Sequence, residues 1–225
     1  MQYLESVATS SERAEPVSRV ARRKAQTRQK LIDAARVLLA GDTASTASIQ
    51  DITDAADVGF GSFYNHFTSK TELFEAAVRQ VLEQLGQLLD TLSIDADDPA
   101  VTFARSVRLT ARLAVARPQT AQVLVRHGMA YIDADEGLAP RALRDIEAGA
   151  AAGLFTVGDS RLALAVTAGA LLAVLHMSLV SPDKVTDATC DEAAEQLLRM
   201  LGVPLDEAHR VATAPLPDVS AVDEV

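Results

Sequence analysis

Twelve residues, Gly59 to Lys70 (GFGSFYNHFTSK), hold two side chains that can bond base edges, Ser62 and Asn65, and three that can reach phosphate oxygens, Tyr64, His66 and Lys70. At about 100° per residue, Phe63 and Phe67 share one helical face. Gly61, Ser62 and Asn65 lie opposite them, with Phe60, Tyr64 and His66 on the flanks. The inner face is aromatic and the outer face small or polar, so such a helix can lie close against another polymer. The chemistry this spacing supports is recognition of a nucleic acid.

A recognition helix must enter at a fixed angle, and the residues before it can set one. With Gly59 as N-cap, Val58 and Phe63 occupy the two positions that pack together as a hydrophobic staple. Upstream, Ser48 is a good N-cap, Asp51 can answer it as a capping-box acid, and Ile49, Ile52 and Ala56 recur at helical spacing. Two short helices joined by Asp57-Val58-Gly59 form the layout of a helix-turn-helix over about residues 48–67. Behind it, Ser69-Lys70-Thr71-Glu72 is a complete S-x-x-E box. It places Lys70 at the first position of the next helix, beside free N–H groups and suited to a phosphate.

The run Thr27-Arg28-Gln29-Lys30-Leu31-Ile32-Asp33-Ala34-Ala35, then Ile52, then Val58 to Phe67 with Ser69, Lys70 and Leu73, resembles the DNA-binding domain of the tetracycline-repressor (TetR) family of transcription regulators. The match spans roughly Lys24 to Gln84, and its core from Phe63 to Lys70 is highly specific. Gly59 stands where the family usually has Ser or Thr, and Phe60 where a polar or basic residue is common. The resemblance implies an all-α chain, with a helix-turn-helix domain over residues 21–84 and a helical effector-binding and dimerisation domain over 85–203. It implies phosphate contacts from Thr27, Ser48, Tyr64, His66 and Lys70. Ser62 and Asn65 would read base edges and Gly61 would allow close backbone approach, with Gly59 and Phe60 in the same interface.

Composition agrees with that class. Of 225 residues 48% are hydrophobic and only 4% aromatic, while alanine, leucine and valine dominate the long periodic runs. The single cysteine, Cys190, excludes an internal disulfide framework and fits a reducing cytoplasm. A net charge of −10 argues at first against a polyanionic partner. Yet the first 70 residues carry nine basic and eight acidic side chains, against twelve and twenty-three in the remainder. The acidity lies downstream of the DNA-binding stretch.

Residues 1–20 lack periodicity and an apolar signal region, and are expected to form a disordered arm. From Arg19, the acid-free run Arg19, Arg22, Arg23, Lys24, Arg28 and Lys30 suits contact with DNA backbone or minor groove. Leu31, Ala34, Ala35 and Leu38 then stripe a first helix ending near Gly41. The helix from Thr71 to about Leu92 has two apolar edges, which makes it a lever between the DNA-binding unit and the next domain. Ser93 to Pro99 is an acidic break. Further helices are expected at about Ala100–Ala116, Pro118–Tyr131, Leu138–Gly153, Ser160–Val180 and Ala188–Leu201.

Leu162 to Val180 is long and apolar enough to raise a membrane-spanning helix. Thr167, Gly169, His176, Ser178 and the flanking acids favour instead a helix held between its own domain and a second subunit. Ala193, Ala194, Leu197, Leu198 and Leu201 form a matching stripe, so the last two helices would build a four-helix bundle across a homodimer axis. The proline-punctuated residues 204–225 are expected to be a disordered tail.

No Glu-x-x-His pair, phosphate loop or G-x-S-x-G elbow occurs, and the four histidines show no ligand spacing. No enzymatic activity, cofactor or metal is expected. The expected function is that of a cytoplasmic, homodimeric regulator, a repressor released from a palindromic operator by a small, mostly apolar effector. Phe103, His127, Met129, Tyr131, Phe155 and His176 are candidate lining residues of the effector pocket. Two alternatives share the fold: a ligand-independent architectural DNA binder, and a helical ligand-binding module without DNA recognition.

Overall fold

The basic run does not precede the first helix but forms its opening turns. In the computed structural model, which describes residues 19–41, 43–94 and 98–217, α1 spans Arg19–Ala40. Alanine, glutamine and long straight-chain cations are good helix formers, so the helix extends upstream of its apolar stripe. Arg19 and Val20, assigned above to the disordered arm, are therefore helical; residues 1–18 lie outside the described residues. Leu31, Ile32, Ala35 and Leu39 turn inward.

The short helix α2 (Ile49–Ala55) is closed by the expected capping box. Asp51 N donates to Ser48 Oγ at 3.1 Å, and Ser48 N donates to the Asp51 carboxylate at 2.8 Å. Asp57, not a glycine, takes the left-handed conformation of the turn, with φ 52°. The recognition helix α3 (Phe60–Phe63) is shorter than the expected Gly59–Phe67 element. Past Phe63 the chain tightens, with Asn65 N bonded to Ser62 O and His66 N to Phe63 O. Asn and His are poor helix formers, and the next N-cap, Ser69, follows at once.

Helix α4 (Lys70–Leu92) starts at Ser69, whose Oγ accepts from Glu72 N. Its buried residues run from Leu73 through Val81 to Leu89 on more than one edge. It packs on α1, where Gln80 donates to Gln29 at 3.1 Å, and on the helices that follow. These are α5 (Pro99–Ala116), α6 (Pro118–His127), a 3-10 turn at Gly128–Tyr131, α7 (Leu138–Ala151), α8 (Ser160–Val180), α9 (Asp187–Met200) and α10 (Leu205–Ala212). One apolar cluster joins Leu31, Ile52 and Phe63 through Leu73 and Val81 to Leu109, Leu124 and Leu175. The DNA-binding end and the long helices thus share a continuous core through α4.

A second cluster unites Phe103, Ile146, Phe155, Leu164, Leu198 and Val211. Phe155 lies so close to Gly149 that a Cβ there would stand 2.2 Å from its ring, so this position admits only glycine. Helix α10 corrects the expectation of a disordered tail from residue 204. Ala208, Val211 and Ala212 form an apolar face that seats on α9 and α5, which outweighs the flanking prolines. Residues 218–225 lie outside the described residues.

Helix α8 is long and apolar enough to cross a membrane by length and composition, but one side packs on α5, α6 and α7. Leu162, Val166, Met177 and Val180 stay exposed on its other side.

Candidate DNA interface and effector cavity

The faces of the recognition segment fall as the helical spacing requires. Phe63 and Phe67 are buried; Gly59, Phe60, Gly61, Tyr64 and Asn65 are exposed; Ser62 and His66 are half-buried. Phe63 is the anchor, fully buried in the core shared with Leu31 and Leu73. What the structure adds is the flank. The Arg28 guanidinium of α1 lies 5.1 Å from the centre of the Phe67 ring. Partial burial, with Lys24 and Arg28 nearby, holds the His66 imidazole below its ordinary pKa. The start of α1 and the end of the recognition segment form one cationic edge.

Other expected phosphate contacts are engaged within the protein. The Thr27 hydroxyl donates to Arg23 O at 3.1 Å, and Ser48 is exposed at its cap. The Lys70 ammonium donates to Ser45 O at 3.0 Å and Ala47 O at 2.8 Å, bracing the loop between α1 and α2. An ammonium has three N–H groups, so this leaves one for another acceptor.

Between α4 and α8 lies a cavity of about 120 Å³. Leu89, Phe103, Leu124, Leu164 and Leu175 give it apolar walls, and one end is charged. There Arg141 donates to Glu83 at 2.8 Å and to Asp90 at 2.7 Å, while Arg144 donates to Asp90 at 3.0 Å and Asp145 at 2.9 Å. Arg141 can lie this way because Gly86 has no side chain: a Cβ there would stand 2.8 Å from Nη1. The Arg141 guanidinium pulls the Glu83 carboxyl down to about 2. Burial pushes the Asp145 carboxyl the other way, upward from its ordinary value, despite its bonds to Arg144. Two residues that line the cavity, Ser93 and Thr167, carry buried hydroxyls with no hydrogen-bond partner among the described residues. Leaving a hydroxyl so costs about 1–3 kcal/mol.

Of the residues expected to line the pocket, Phe103 and Tyr131 do so. His127 opens instead on a separate groove between α1, α4 and α6, which Tyr131 also borders. Phe155 fills the core, edge-on to Phe103 at 5.8 Å and seated on Gly149. Met129 and His176 are exposed. Residue type selected these four, whereas helical face decides what meets a cavity. The sequence reading missed Ser93, Asp90, Arg141, Arg144, Asp145 and Thr167. Two of these leave a sequence signal, Asp145 beside the buried Ile146 and Thr167 inside the most apolar helix.

Two contacts join the segments around the cavity to the DNA-binding end. The Tyr131 hydroxyl donates to Glu75 O of α4 at 3.5 Å. At the end of α6, the Arg126 guanidinium donates to Leu39 O and Gly41 O, the carbonyls that finish α1.

The family described as bacterial regulatory proteins, tetR family, matches residues 31–77, and the tetracyclin repressor-like C-terminal domain matches residues 98–214. No curated protein sequence matches the chain. Among solved structures, RolR in complex with the ligand resorcinol is 34% identical, over 89% of this chain and 100% of that one, with a TM-score of 0.64. SmeT, the repressor of the Stenotrophomonas maltophilia multidrug efflux pump SmeDEF, is 22% identical, over 86% of this chain and 99% of that one, with a TM-score of 0.67. FadR from Bacillus subtilis in complex with stearoyl-CoA is 17% identical, over 76% and 97%, with a TM-score of 0.62. With a capped helix-turn-helix at one end and a walled cavity at the other, the chain belongs to the TetR family, as a ligand-responsive, DNA-binding transcription regulator.

Proposed function

We propose that a homodimer of this chain grips a palindromic operator through α3 and releases it when a small hydroxylated aromatic enters the cavity. The observation that carries the effector class is Thr167, a buried hydroxyl without a partner on the wall of a cavity of about 120 Å³. At about 120 Å³ the cavity is near, and slightly below, the roughly 150 Å³ that holds a benzene ring, which is the scale of a single ring and not of a long acyl chain. Ring hydroxyls would then bond Thr167 Oγ1 and the Asp145 carboxylate. RolR, 34% identical, was crystallised with resorcinol, a ring of this kind. The expected apolar effector thereby gains a polar edge.

On DNA, Ser62 and Asn65 read base edges and Gly61 allows the backbone close. Thr27, Ser48, Tyr64, His66 and the remaining Lys70 N–H hold phosphates, with Lys24 and Arg28 beside them. The expected α9 stripe of Ala194, Leu197, Leu198 and Leu201 is buried in its own subunit against α5 and α10, so the exposed apolar face of α8, with Met200 of α9, is the one that meets a second subunit. Half-sites then lie about 34–36 Å apart or a multiple of that. An effector that prefers a dimer with the wrong spacing of its recognition helices lowers DNA affinity by the difference in free energy. Such a protein works in the cytoplasm, beside its operator.

The test is a binding selection of the purified protein from random duplex DNA, with the winners retested by gel shift over a salt series. A palindrome with a steep salt slope is expected. Recovery of no preferred sequence would sink the specific-regulator reading.

A further inference from the structure

Phe60 is 47% exposed and Tyr64 55% exposed, on the segment assigned above to the DNA groove. They are not loose. The Phe60 ring meets Tyr64 edge-on at 5.8 Å, and Tyr64 meets the fully buried Phe63 edge-on at 5.3 Å. A chain of ring contacts therefore fixes an exposed apolar side chain against the core.

The glycines on either side of Phe60 sharpen the point. A Cβ on Gly61 would meet nothing within 4 Å, and one on Gly59 only Ser62 Oγ at 3.8 Å. Neither glycine has a positive φ. The protein's own packing thus does not call for glycine at either place, and inside the helix, at Gly61, glycine is a poor former. The two bare positions leave Phe60 standing alone from a flat surface, accessible to a body that comes close.

The only alkyl group that the bases present in the major groove is the C5-methyl of thymine. Resting on the DNA-binding reading above, we propose that Phe60, held by Tyr64, packs on a thymine methyl in each half-site and makes that thymine a determinant of the operator. Gly59 and Gly61 admit the neighbouring bases and backbone to either side of the ring. Ser62 and Asn65, on the opposite side of the helix from the core, read the adjoining pairs by hydrogen bonds.

The test changes the DNA first. In the operator recovered by selection, each thymine is replaced in turn by deoxyuridine, which keeps base pairing and removes only the methyl. Wild-type protein is expected to lose about fourfold in affinity at one symmetry-related position in one half-site and about fifteenfold when both are changed, the worth of one buried methyl each. Phe60→Ala, shown to be folded by its thermal melt, should bind both operators equally. If no position responds to methyl removal, or if Phe60→Ala keeps the wild-type response, the inference is overturned while the regulator reading stands. An aromatic wedge between base steps would give that result, because unstacking does not depend on the methyl. Failure to select any operator would overturn both.

Discussion

Gly61 sits in α3 with open space where a side chain would stand, whereas Thr167 is sealed inside α8 with a hydroxyl that bonds nothing among the described residues. The first is a gap on the surface and the second an unmet bond in the interior. At each, a simple substitution is expected to stabilise the isolated monomer. The pairing teaches where each partner goes: a large polymer against the outside, and a small molecule with hydrogen-bonding groups inside. The DNA face is built from one contiguous stretch held by local caps, while the cavity draws side chains from α4 to α8.

The largest effect is expected inside. Asp145→Asn should weaken binding of a hydroxylated aromatic by about 10–100-fold, the worth of a hydrogen bond to a charged group, as measured by calorimetry. Unchanged affinity would move the ligand away from the charged end of the cavity.

A crossed pair comes next. Gly61→Ala should raise stability by up to about 1 kcal/mol through helix propensity, and cost roughly tenfold in operator affinity. Thr167→Val removes the orphan hydroxyl and should also stabilise by about 1 kcal/mol, while cutting effector affinity and sparing DNA binding. Thermal melts with both binding assays would show the crossing. If either variant lost stability, or if both lost the same function, the two regions would not differ as described.

Arg126 links the two. Arg126→Met removes the donors that hold Leu39 O and Gly41 O. It should leave effector affinity intact and shrink, several-fold, the factor by which effector lowers DNA affinity. An unaltered factor would route the coupling through α4 alone.

The smallest effect is one of pH. Glu83 is held down to about 2 by Arg141, below the 4.5 of a free carboxyl. A depressed carboxyl stabilises the fold above its unfolded value, and that contribution is lost as pH falls from 4.5 towards 2. Glu83→Gln should therefore flatten the fall of melting temperature in that window and lower it above pH 5.

How much of this could be read in the sequence follows the same division. Ser48 answers Asp51 three positions on, Phe67 follows Phe63 by four and Ser69 caps Glu72 three on, so caps and helical spacing reveal the DNA-binding unit directly. The length of α3 was not legible, because turns after Phe63 replace helical bonds at a cost too small for pattern to show. In the cavity, Asp90 and Asp145 lie 55 positions apart and meet only through Arg144. Nothing local marks Arg141 as resting on Gly86, and aromatic type alone led to Phe155, which is core. Helix α10 was hidden by its prolines, although Ala208, Val211 and Ala212 share one face.

The most direct measurement is fluorescence anisotropy of the selected operator bound to the protein, titrated with resorcinol and, separately, with stearoyl-CoA. Resorcinol or a similar dihydroxybenzene is expected to release DNA from the wild type at concentrations that leave Asp145→Asn and Thr167→Val bound. Release by stearoyl-CoA with none by a dihydroxybenzene, or equal release from all three proteins, would contradict an effector held between Asp145 and Thr167.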